Sequence, residues 1–121
     1  MPQTRKRAFS LSVIAALPLT LAGCHSKYIE ATITNHSATP LSVVQVDYPS
    51  ASFGTQSLQP GASFHYRFKL QGSGPVKITF SDSALTEHHQ TGPVLNEGQE
   101  GTLQIIFPTA DKAEFSTSVH P

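Results

Sequence analysis

Three observations predict a small antiparallel β-sandwich of six or seven strands. Apolar and polar residues alternate in short runs, turn signals built on Pro, Gly and Asn recur roughly every 8 to 12 residues, and no stretch carries the period of an amphipathic helix. One domain is expected, since the 98 residues that remain after removing residues 1 to 23 are near the size of one hydrophobic core and well short of two.

In chain order, Tyr28 to Thr34 places Ile29, Ala31 and Ile33 on one face and Glu30, Thr32 and Thr34 on the other, the pattern of a half-buried strand. The segment from Asn35 to Pro40 is a turn, and Asn35-His36-Ser37 within it is read as turn chemistry in preference to a glycosylation acceptor. Leu41 to Tyr48 is β-branched and apolar and suits a central strand, with Val44, Val46 and Tyr48 on one face and Leu41 and Val43 beginning the other. Pro49 to Ser52 breaks the run, Phe53 to Leu58 suits a short edge strand, and Pro60-Gly61 stands in the order of a type II turn, with Gly61 at positive φ.

The clearest alternation follows: Phe64, Tyr66, Phe68 and Leu70 against Ser63, His65, Arg67 and Lys69, a strand with one wet face. Gln71 to Gly74 is a short glycine-rich connection into Val76, Ile78 and Phe80, so these two strands are expected to form a hairpin. Ser81 to Gln99 is polar and turn-rich, with a short strand around Glu87 to Thr91 the most it suggests. Leu103, Ile105 and Phe107 share a face of a further strand that Pro108 ends, and Ala113 to Val119 suits a last strand or a tail.

The N-terminus has a separate logic. Arg5, Lys6 and Arg7 precede an apolar run from Ala8 to Thr20, and small residues stand before the only cysteine, in the three-part order of a secretory signal. The run is interrupted by Ser10, Ser12 and Pro18 and is shorter than the roughly 20 residues of a spanning helix. Leu21-Ala22-Gly23-Cys24 resembles the cleavage motif of bacterial lipoproteins. That resemblance implies cutting between Gly23 and Cys24, acyl chains (a palmitate-type anchor) on Cys24, and a protein held on a membrane of the cell envelope without crossing it. His25, in place of an Asp after the cysteine, favours by the same resemblance the periplasmic side of an outer membrane. The expected division is therefore signal peptide 1–23, tether 24–27 and sandwich 28–119, and the sandwich itself resembles the small Ig-like domains of bacterial surface proteins. The second likeness is one of layout only, because the chain has no Trp and no cysteine pair.

Composition excludes several function classes. Three of the eight basic residues lie before Cys24, so the remainder is mildly acidic and offers no basic face for nucleic acid or anionic lipid. A modified Cys24 leaves no thiol for a disulfide, a nucleophile or a zinc site. No Gly-x-Ser-x-Gly elbow is present, and Glu87, Glu97 and Glu100 fall in turn-rich stretches unlike a paired-carboxylate cleft. No catalytic residue and no cofactor is expected.

Histidine is the unusual resource, at positions 25, 36, 65, 88, 89 and 120. His88 and His89 are adjacent and in a strand point to opposite faces, so a metal site would need His65 beside one of them. The expectation is accordingly a lipid-anchored periplasmic or cell-surface module acting through protein contacts, with a histidine-based metal-binding protein as the alternative. Candidate contact loops are those around Ser50 to Gly54 and Ser81 to Gly98.

Overall fold

A computed structural model describes residues 27 to 121. Eight strands follow one another: β1 (Ile29–Asn35), β2 (Leu41–Tyr48), β3 (Ala51–Leu58), β4 (Ser63–Phe68), β5 (Gly74–Ser81), β6 (Glu87–Leu95), β7 (Glu100–Thr109) and β8 (Lys112–His120). They form two four-stranded sheets, in the orders β4-β1-β7-β8 and β3-β2-β5-β6, packed as an all-β sandwich. The count exceeds six or seven because each segment with weak alternation forms a strand. The middle of the 81–99 stretch is β6, paired along its length with β5, so a strand's neighbours supplied what its own sequence lacked.

Two further expectations are corrected. The strands before and after Gln71 to Ser73 form no hairpin: β4 pairs with β1 in one sheet, while β5 pairs with β2 and β6 in the other. A short glycine-rich connection serves an arch between sheets as well as a turn within one, and both leave the same alternation in the sequence. The sandwich is also not wholly antiparallel, since β1 runs parallel to β7 from Ile29 opposite Gly101 to Asn35 opposite Phe107. In the constant-type immunoglobulin order the first, second, fifth and fourth strands share a sheet. Here β2 and β5 lie in the sheet opposite β1 and β4, so the strand order departs from that immunoglobulin order.

Between the sheets, Ile29, Ile33, Val44, Val46, Val76, Ile78, Phe80, Leu103, Ile105 and Phe107 are all buried, with Phe80 and Phe107 edge to face at 4.6 Å. Each fully buried large side chain contributes roughly 1.5–3 kcal/mol, so this layer is the main stabilising feature of a fold with no cross-link. The expected faces hold except in β2. There Val43 adopts φ +48° in a bulge that shifts the register against β5 between Ser42 and Gln45. The extra residue reverses the phase, so Leu41 turns inward with Val44 and Val46 while Val43 is put outside.

The two lateral seams close differently. At the β3/β4 seam, rings of Tyr48, Phe53, Phe64, Tyr66 and Phe68 stack, Phe53 on Tyr66 at 4.5 Å and Tyr48 on Phe68 at 4.1 Å. Burial first, and the Tyr66 phenol second, push the Tyr48 hydroxyl above its ordinary pKa. At the β6/β8 seam the Gln90 side chain acts as an extra peptide group, its Nε2 donating to Ala113 O at 2.9 Å and its Oε1 accepting from Ala113 N at 2.6 Å.

Asn35 fastens the turns at one end. Its side chain is buried, with Nδ2 donating to the carbonyls of Thr39 and Leu58 and Oδ1 accepting from Ser37 N and Oγ. Both Nδ2 hydrogens are thereby taken, which explains the turn role and removes the group a glycan would need. Next to it the expected Pro60-Gly61 turn forms, closed by Ala62 N to Gln59 O at 2.9 Å with Gly61 at φ +80°.

Candidate functional site

Because consecutive strands alternate in direction, every connection falls at one of two ends. The chain enters β1 at Ile29 beside Phe68 and Gly101, and that end also holds the Pro49–Ser50 turn, the 69–73 arch, the 96–99 turn and Pro121. Its loops are tied together: Gly72 N donates to Glu97 Oε1 and Glu97 N donates to Ser73 Oγ. The distal end holds the turns at 36–40, 59–62, 82–86 and 110–111.

The distal loop between β5 and β6 is the most specified local structure outside the core. Leu85 N donates to Asp82 O, and Asp82 N to Thr86 O, closing the turn. Asp82 Oδ1 accepts from Ala84 N at 2.9 Å and Thr86 N at 3.0 Å, the local bonding for which Asp is favoured in turns. Its other oxygen lies 2.9 Å from Nε2 of His88, whose ring stacks on buried Phe80 at 5.1 Å between centroids. A carboxylate only accepts, so Nε2 carries the proton here. The bond from His88 first, then that from Thr86, hold the Asp82 carboxyl below the ordinary carboxylate range, against an opposing effect of burial and with help from Ala84 N. Leu85 emerges from this lock at φ +65° and 80% exposed.

The histidines are dispersed. His65 lies on the outer face of β4, its Nδ1 3.1 Å from Thr32 Oγ1. His88 points inward to Asp82 and Phe80, whereas His89 points outward, as their adjacency in a strand requires. β4 and β6 are edge strands of different sheets, on opposite sides of the sandwich, so the pairing of His65 with His88 or His89 is not formed. Among the described residues no three His, Cys, Asp or Glu side chains come together, fewer ligands than a tetrahedral zinc site uses. Gly23, Cys24 and His25 lie outside the described residues.

Thr79, His89 and Glu87 do line up, with Thr79 Oγ1 3.1 Å from Nδ1 and Glu87 Oε2 2.8 Å from Nε2. The order is hydroxyl, imidazole, carboxylate. Yet Thr79 stands on a strand paired on both sides, so the nearby backbone N–H groups serve the ladder and supply no oxyanion donors, and the His89 and Glu87 side chains are more than half exposed. Open depressions on this same outer face share Asp47 and Lys77.

Of the two loops expected to carry contacts, Ser50 to Gly54 is mostly β3 and half of Ser81 to Gly98 is β6, leaving the short turns 49–50, 82–86 and 96–99. Asp82 at the head of a turn was legible as turn chemistry. The αL backbone and the exposure of Leu85 were not, since both depend on how the loop closes.

No protein-family model matches the chain, and neither does any curated protein. Among solved structures it is similar to the NMR structure of a protein from Eubacterium rectale, at a TM-score of 0.51 and 12% identity over 84% of this chain and 92% of that one. At that identity the likeness shows the fold alone.

Proposed function

We propose that the chain is a lipid-anchored β-sandwich module of the bacterial cell envelope that acts through protein contacts made at its distal end. The observation that carries this reading is the sorting of connections to two ends together with the closeness of Cys24 to β1. Residues 24 to 28 reach at most about 18 Å at roughly 3.5 Å per residue, which holds the near end against the headgroups. Strands of about eight residues then place the turns 36–40, 59–62, 82–86 and 110–111 roughly 25 Å further out. A module so held presents one end to partners and buries the other against its own membrane.

The charge distribution supports the same polarity. Of the basic residues after Cys24, Lys27, Arg67, Lys69 and Lys77 lie toward the anchored end and Lys112 alone lies distally, against Asp82, Glu87, Asp111 and Glu114. The distal end is therefore acidic. Retention on the periplasmic side of an outer membrane follows the expectation from His25. The test is metabolic labelling with a tagged fatty acid and membrane fractionation of the native chain beside Cys24→Ser. Labelling and membrane retention that vanish in the variant support the anchor; a soluble, unlabelled native chain refutes it.

A further inference from the structure

Among the described residues, the two non-glycine residues at positive φ are Val43 and Leu85. Both are apolar and exposed, at 51% and 80%, and both belong to the distal end of the β3-β2-β5-β6 sheet, where Ser42 pairs with Ser81. Left-handed backbone is unfavourable for branched side chains, and the residue after such a hairpin turn is by preference Gly or Asn. The bulge in β2 accounts for Val43, but Leu85, four-fifths exposed, gains little packing to offset that strain. Strain held at an exposed apolar residue points outward, to something that the side chain meets.

We propose that Leu85, in the loop at the same distal end as Val43, is the docking determinant of the module, entering an apolar pocket with a basic rim on a partner protein. This deepens the reading of the distal end as the contact end and rests on it. Preorganisation is the first argument: the bonds to Asp82 and the His88 contact fix the loop before any partner arrives, so little ordering remains to oppose binding. Charge is the second, because Asp82, Glu87, Asp111 and Glu114 surround this end with one distal Lys, which calls for basic groups opposite and disfavours anionic lipid. The other well-exposed apolar side chains lie elsewhere, Val94 toward the anchored end of β6 and Tyr66 in the aromatic seam.

The test uses the full-length chain in intact cells of its own species, with a photo-crosslinking amino acid at Ser83 or Val43, and at Ser50 on the anchored end as control. One protein adduct is expected from the two distal positions and none from Ser50. In a chain carrying the probe at Ser83, Leu85→Gly is expected to lower that adduct at least about tenfold, as loss of one buried leucine implies. The captured protein, purified, is expected to bind the detergent-solubilised native chain with an affinity that falls with added salt and falls about tenfold or more with Leu85→Gly. The melting temperature of Leu85→Gly, at or above that of the native chain, separates loss of docking from loss of fold. Absence of a distal adduct, an adduct indifferent to Leu85→Gly, or lipid adducts in place of protein overturns the proposal. If the native chain is soluble and unlabelled yet gives the Leu85-dependent adduct, the docking determinant stands and the anchoring role falls.

Discussion

Asn35 is buried with every side-chain hydrogen-bonding group engaged, and the consequences of changing it are correspondingly large. Asn35→Ala removes a partner of the Leu58 carbonyl and of the Ser37 amide, while Thr39 O keeps the Ser37 hydroxyl; at roughly 1–3 kcal/mol for each buried group left unpaired, a loss of about 2 kcal/mol or more is expected in chemical denaturation. Asn35→Asp keeps the shape but turns a carboxylate oxygen toward two carbonyls, and it should destabilise at least as much at neutral pH. Asp82 gives a pH prediction of definite sign. Its carboxyl titrates lower in the folded loop than in the unfolded chain, so the stabilisation is fully present above the ordinary carboxylate range and is lost as pH falls through the depressed value. Amide exchange at Ala84 and Thr86 should therefore stay slow through ordinary carboxylate titration and accelerate only in more acid solution. Leu85→Gly relieves αL strain of roughly 1–2 kcal/mol against a glycine entropy penalty of roughly 0.5–1 kcal/mol, and thermal melting is expected to show no loss of stability.

At the scale of elements, the sandwich is sensitive where backbones or edges meet. A Cβ on Gly54 would lie 2.2 Å from Val44 O, a backbone atom in the middle of the β2–β3 ladder, whereas one on Gly92 would meet the Phe115 ring at 2.6 Å. A ring on an edge strand can swing and a ladder carbonyl cannot, so Gly54→Ala is expected toward or beyond the upper end of the roughly 1–3 kcal/mol typical of overpacking. Gly92→Ala should cost less and be largely recovered by Phe115→Leu; equal losses for the two glycines, without recovery, would contradict this account. Gln90→Leu leaves both backbone groups of Ala113 without their side-chain partner, and hydrogen exchange at Ala113 is expected to rise selectively. The sequence showed the Ile29, Phe64, Val76 and Leu103 strands plainly because each has one apolar face. It misplaced the β4–β5 connection because alternation records which way a side chain points, not which sheet receives it, and it mis-phased Leu41 because a bulge inserts a residue without any composition of its own.

For the whole molecule, the proposed lipid on Cys24 would become an orientation through the short tether and the alternation of strand direction, and Cys24→Ser is expected to release the chain from the membrane fraction while leaving its melting temperature within a degree or two. That expectation follows from the core, whose described residues run from Ile29 to Ala113 and pack against one another. Sequence by itself determined the all-β class, most strand positions, the Pro60-Gly61 turn and the acidic balance, because these depend on local periodicity, fixed φ preferences and simple counts. Tertiary structure alone decided the pairing of β1 with β7, the crossing between sheets at 69–73, the separation of His65 from His88 and His89, and the exposure of Leu85 beside the locked Asp82. The physical reason is common to all four. Each is a relation between residues far apart in the chain, or a backbone state imposed by how a loop must close, and neither leaves a mark in the order of side chains.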